Sequence, residues 1–172
     1  QIKDISKFNE LANVNFNGSV NSIHSSLECL KESSGTIVSI TTAQAFIGFP
    51  KATFYSASKH ALKGFLEGLE LETKGKIKFI NVYLGWIKET NLRANAIGPN
   101  GEKIGDSHHK HSNKAIELDV CTNLIINGIK QKKKNIFIPS YLKYIPFVKI
   151  FFNKWLFKKI SNAVDSEELK NT

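Results

Sequence analysis

A chain of 172 residues with 41% apolar and 23% charged side chains is long enough to bury a core and fits about one domain, which excludes wholesale disorder. Cys29 and Cys121 stand far apart with no metal-ligand spacing around either, which gives little support to a zinc site or a disulfide framework and leaves buried free thiols as the expected state. A net charge of +9 fits nucleic acid, a membrane surface or an anionic ligand without choosing among them.

The opening residues Gln1-Ile2-Lys3-Asp4 carry no charged stretch followed by an apolar run, so no signal peptide is expected there. A chain without Met that begins in mid-pattern reads as a fragment or processed form. Apolar residues at Val14, Val20, Ile23, Leu27 and Leu30 predict a helix from Leu11 to Leu30, stopped by Lys31-Glu32-Ser33-Ser34-Gly35. Thr36 to Ile40 is short and β-branched, the profile of a strand buried on both faces of a parallel sheet. After a loop with Gly48 and Pro50, the set Ala57, Ala61, Leu62, Phe65, Leu66 and Leu69 predicts a helix from about Phe54 to Thr73, closed near Gly75. Ile77 to Tyr83 is the next strand, running into Leu84-Gly85.

The polar, Gly-containing stretch from Asn91 to Asn113 reads as a long loop or lid. A helix near Lys114 to Lys130 and a strand at Asn135 to Ile138 follow. Strands alternating with helices predict an α/β fold with a parallel sheet, whose ligand sites lie at the carboxyl ends of the strands. Residues 141–172 differ in character and form a basic, aromatic tail after a first unit of residues 1–140.

Tyr55 and Lys59 stand four apart at the start of a helix, hence on one face. A phenol with an ordinary pKa near 10 is a poor acid or base at neutral pH, and an adjacent ammonium favours the phenolate. The spacing therefore predicts a phenol tuned for proton transfer. The competing reading is an exposed pair at a helix start.

Four segments place that pair in a pattern: Gly35-Thr36-Ile37-Val38-Ser39-Ile40-Thr41-Thr42, Gly48-Phe49-Pro50, Tyr55-Ser56-Ala57-Ser58-Lys59, and Leu84-Gly85-Trp86-Ile87. In order and spacing they resemble the short-chain dehydrogenase/reductase family, over residues from about 10 to 130. Within that family the chain is most similar to the 11-beta-hydroxysteroid dehydrogenase type 1 group. The resemblance implies a Rossmann-like parallel sheet with flanking helices, here missing the first βα unit or units. It also implies NADP or NAD as cofactor, a small lipophilic and possibly steroid-like substrate, and a homodimer. Tyr55 becomes the general acid/base, Lys59 its partner and a ligand of the nicotinamide ribose, and Asn15 the holder of a water in the proton relay. Ile87 offers its backbone to the nicotinamide carboxamide.

Three departures stand out. Thr42 occupies the position of the family's catalytic serine; it keeps the hydroxyl but adds a methyl that stiffens it. The threonine expected four residues beyond Gly85 is Glu89, with Thr90 one later as the cofactor-side hydroxyl. The Gly-rich turn that brings backbone amides to a pyrophosphate has no counterpart, so this chain alone is expected to hold a dinucleotide weakly or not at all.

His108, His109 and His111 lie in the polar loop without carboxylate or thiol partners at useful spacing, so no metal is expected. In the tail, Tyr141, Tyr144, Phe147, Phe151, Phe152, Trp155 and Phe157 interleave with lysines, too charged to span a bilayer but suited to a helix at a membrane surface. The alternative there is a helix packed on the sheet or at a dimer contact. The sequence thus predicts an NAD(P)-dependent alcohol–carbonyl oxidoreductase, endoplasmic-reticulum-associated or cytoplasmic by resemblance. The rival is a non-catalytic fragment serving as a membrane-associated or protein-binding module. No nucleic-acid reader motif is present.

Overall fold

The computed structural model describes residues 5–90 and 115–168, apart from the side chains of Lys7 and residues 164–168. The predicted lid from Asn91 to Asn113, with its histidines and glycines, lies outside the described residues. Three parallel strands, β1 (Thr36–Thr42), β2 (Lys78–Leu84) and β3 (Asn135–Ile138), lie side by side in the order of the chain. The helices are α1 (Ile5–Ala12), α2 (Gly18–Glu32), α3 (Thr53–Thr73), α4 (Leu118–Lys130), α5 (Ile145–Phe151) and α6 (Asn153–Glu168).

The sheet separates two apolar layers. On one face α3 lays down Leu62, Leu66 and Leu69 against Ile37 of β1 and Phe79 of β2, with Ile23, Leu27 and Leu30 of α2 alongside. The three- and four-residue spacing in α3 is what makes one stripe of that helix apolar. Left-handed backbone at Lys74 and then Gly75 ends it. On the other face, Ile80 and Val82 of β2 and Ile136 and Ile138 of β3 pack against Cys121, Ile125 and Ile129 of α4. Gly128 makes that contact possible, since a Cβ there would meet the Ile136 side chain at 2.4 Å.

The predicted Rossmann-like α/β architecture is the one observed, with two corrections in detail. Only β2 is covered on both faces; β1 buries Ile37 and Thr41 on the α3 side, while Val38 and Ile40 on the other are 37% and 48% exposed. The apolar run of β1 therefore reflects a face left open among the described residues. Of the two thiols, Cys121 is buried, whereas Cys29 is exposed, because its position on α2 points away from the stripe of Ile23, Leu27 and Leu30.

The helix predicted from Leu11 to Leu30 is also more complex. It runs from Ile5 to Glu32 and is interrupted by a wider π-helical turn at Asn13–Asn17. The tail forms two helices rather than one: after a 3-10 turn at Ser140–Tyr144, α5 and α6 meet at Phe152, whose backbone leaves the helical region.

Candidate active site

Tyr55 lies in the first turn of α3, which begins just beyond the carboxyl end of β1, and Lys59 follows one turn later. The Lys59 ammonium sits 5.6 Å from the centre of the Tyr55 ring. Both side chains are half-buried, and neither the phenol hydroxyl nor the ammonium has a hydrogen-bond partner among the described residues. Lys59 also borders a cleft of ≈ 340 Å³ between α2, α3 and β1, walled by Val14, Ser19 and Ser39.

Burial holds the Tyr55 phenol above its ordinary pKa and Lys59 below its own. This differs from the expectation that the ammonium lowers the phenol: removing the hydroxyl from water outweighs a cation 5.6 Å from the ring centre. At neutral pH Tyr55 is therefore protonated and able to donate.

Asn15 occupies the middle of the π turn. Its side-chain amide nitrogen donates to Ser58 Oγ at 3.2 Å, and its backbone carbonyl accepts from Ser19 Oγ at 3.1 Å. Ser58 is buried and also donates to the Tyr55 carbonyl at 2.8 Å. The sequence-predicted Asn15 is thus tied to the Tyr55 turn across 43 residues of chain, through one serine hydroxyl. Wide turns of this kind expose backbone and re-aim side chains, and they recur at functional sites.

Thr42 ends β1, level with Leu84 in register and half-buried. No hydrogen bond joins its hydroxyl to Tyr55. Its neighbour Thr41 is buried, with a hydroxyl that has no partner among the described side chains. The loop after Thr42 folds back onto α3 through the buried Ser56, which donates to Gln44 Oε1 at 2.7 Å and accepts from the Phe49 amide.

At the end of β2, Gly85 donates its amide to the Ile138 carbonyl at 2.7 Å, and a Cβ there would stand 3.0 Å from Pro139. Beyond it, Trp86 and Lys88 bond to both sides of the Ile116 peptide, in a short parallel bridge centred on Ile87. Bridge geometry directs the Ile87 amide and carbonyl the opposite way, where no protein group meets them among the described residues. Glu89 adopts left-handed backbone, φ 59°, and is exposed, which turns its carboxylate to solvent; Thr90 next to it is half-buried.

Sequence reasoning singled out Tyr55, Lys59, Thr42, Asn15, Ile87 and Thr90, and it missed their supports. Ser56 and Ser58 are the clearest: both are buried at the start of α3, on opposite sides of the helix, and each hydroxyl has its own partner. A second support is Phe46, whose ring packs on Tyr83 at 4.6 Å and lies under the Lys63 ammonium. Its carbonyl accepts from the Lys149 ammonium of α5 at 2.7 Å. No local signal announces that last bond, which joins residues 103 apart.

Comparison with known proteins agrees with the fold. The family model described as short chain dehydrogenase matches residues 2–99. The 11-beta-hydroxysteroid dehydrogenase 1A of Arabidopsis thaliana is 28% identical over 146 residues, which is 83% of this chain and 42% of that protein. The dehydrogenase/reductase SDR family member 7B of Mus musculus is 33% identical over 118 residues, 64% of this chain and 35% of its own. The chain therefore spans less than half the length of these relatives. Among solved structures, a short chain dehydrogenase from Burkholderia cenocepacia in complex with NADP superposes with a TM-score of 0.70 at 17% identity, over 92% of this chain and 60% of that one. An alcohol dehydrogenase from Thermococcus sibiricus with 5-hydroxy-NADP gives 0.59 at 14% identity, over 78% and 54%.

Proposed function

The chain belongs to the short-chain dehydrogenase family, and from that premise we propose that it forms the catalytic end of an NAD(P)-dependent oxidoreductase that interconverts an alcohol and a carbonyl. One observation carries the reading. A half-buried phenol without a partner, a half-buried ammonium beside it and an unpaired peptide at Ile87 all belong to segments at the carboxyl ends of β1 and β2. Ligand sites of open parallel sheets lie at that end.

These residues fit a nicotinamide nucleoside. The Ile87 amide and carbonyl match the donor and acceptor pattern of a carboxamide, with the Thr90 hydroxyl close in sequence. Lys59 and Tyr55 would hold the ribose hydroxyls. The cofactor supplies the hydride when bound. In the reducing direction the Tyr55 hydroxyl gives its proton to the substrate oxygen as hydride reaches the carbonyl carbon, and in the oxidising direction the phenolate takes that proton back. The Lys59 charge stabilises the phenolate left between the two, and the Thr42 hydroxyl orients the substrate oxygen. Asn15 steadies the turn through Ser58 and holds a water that returns the proton from solvent.

The names of the Arabidopsis relatives support a lipophilic, steroid-like alcohol or carbonyl as substrate, and the family supports a homodimer. No Gly-rich turn precedes the Asn15 region in the sequence, so this reading places the pyrophosphate on a part of the protein outside the chain. Two measurements test the reading. In a protein that supplies the nucleotide-binding half, Tyr55→Phe lowers carbonyl reduction by about 10²–10⁴-fold with an unchanged circular dichroism spectrum. Full turnover by this variant removes the assigned role and favours the non-catalytic alternative. Titration of the 172-residue chain alone with NADPH gives at most weak binding; tight binding contradicts the divided site.

A further inference from the structure

The charge of the molecule is segregated. From Val120 to Val164 the sequence holds nine lysines and no Asp or Glu, while the remaining basic and acidic residues cancel, 15 against 15. The whole net charge of +9 therefore arises in that stretch. Lys132, Lys133 and Lys134 lie before β3, at the amino ends of the strands, where Lys134 pairs with Glu70. Of the remaining six in this stretch, Lys130 ends α4 and the five after β3 fall on the 3-10 turn and on α5 and α6.

The same short region turns its large apolar side chains outward. Phe147, Ile150, Phe151, Phe152, Trp155 and Phe157 are each between 46% and 74% exposed. Only Leu156 and Ile160 of α6 are partly covered among its described apolar residues longer than alanine. Trp155 carries the Lys159 ammonium 4.8 Å above its ring, so an aromatic body and a cationic head sit on one surface. Among the described residues no helix is long and apolar enough to cross a membrane.

This surface lies at the site end of the sheet. The chain enters it directly from β3, beside Gly85, and α5 is fixed there by the bond from Lys149 to the Phe46 carbonyl. We propose that the lysine- and aromatic-bearing face of α5 and α6 docks on an anionic lipid bilayer surface, bringing the carboxyl ends of the strands toward it. Aromatic rings settle at the headgroup boundary while lysine stems reach past them to lipid phosphates or carboxylates. A second copy meeting this face with its own would set lysines against lysines. A nucleic acid would satisfy the charges but leave several phenylalanines on two helices without a base stack.

The full chain carrying Trp86→Phe, in which Trp155 is the only tryptophan left, is mixed with vesicles of phosphatidylcholine alone or with about a third phosphatidylserine. Flotation with the anionic vesicles is at least about tenfold greater, weakens with added salt, and blue-shifts Trp155 emission. The triple variant F151A/W155A/F157A and the charge variant K154E/K158E each lower flotation about tenfold or more, with unchanged circular dichroism. Equal flotation on both vesicle types, no flotation, or flotation undiminished in both variants overturns the proposal. So does a shift of Trp155 emission by a single-stranded oligonucleotide where anionic vesicles give none.

Discussion

The α3 region and the tail solve opposite problems with similar residues. Around α3, polar side chains go inward and are paired: Ser56 and Ser58 are buried and bonded, and Asn15 reaches across from the π turn before α2. In the tail, large apolar side chains go outward and remain uncovered. A region that hides hydroxyls is built to hold groups in place, whereas one that exposes rings is built to meet something. In the proposed reading one chain separates the positioning of a reaction from the placement of the protein.

That contrast predicts unequal costs for removing apolar atoms. Leu66→Ala, deep between α3 and the sheet, lowers unfolding free energy by about 2–5 kcal/mol. Phe151→Ala in α5, 64% exposed, changes it by about 0.5 kcal/mol or less. Urea unfolding of both variants checks the pair, and a large loss from Phe151→Ala breaks the comparison.

An alkaline titration sharpens it further. Tyr83, packed between Phe46 and Phe137, has its pKa pushed from 10.0 to about 12 by burial and by the nearby Glu67 carboxylate. Its folded value lies above its unfolded one, so the neutral phenol favours folding below pH ~10 and that advantage is lost as pH rises toward ~12. The loss is about 3 kcal/mol at most, and Tyr83→Phe, which has no proton to lose, shows a correspondingly flatter fall of Tm across that window. Equal slopes in the two proteins contradict the assignment.

The smallest effect tests the polar side alone. Asn15→Ala removes one partly buried hydrogen bond, costs about 1 kcal/mol and lowers Tm by about 3 °C. In the proposed complete oxidoreductase it lowers turnover more than that loss of stability explains. A variant that melts earlier but turns over normally leaves Asn15 as a structural residue.

Much of this was legible because the patterns were local. The stripe of α3, the β-branched run of β1 and the four-residue step from Tyr55 to Lys59 each need only neighbours in sequence. The single-faced burial of β1 was not legible, because an apolar strand looks the same whether one face or two are covered. The direction of the Tyr55 shift also escaped: spacing reveals a nearby cation but not how much water both groups lose. Lys149 and Phe46 meet only because the sheet brings residues 103 apart to one end, and nothing in either segment marks the other.

The π turn at Asn13–Asn17 has a consequence for how this helix tolerates insertions and deletions. A turn with one residue too many is an ordinary helix with a phase slip, and each residue of slip rotates what precedes it by about 100°. Losing a single residue there would leave a more regular rod with better internal bonding, yet it would swing the amide of position 15 off the serine beneath it. The helix is kept slightly out of step with itself, and its length at this point is constrained by angle rather than by reach.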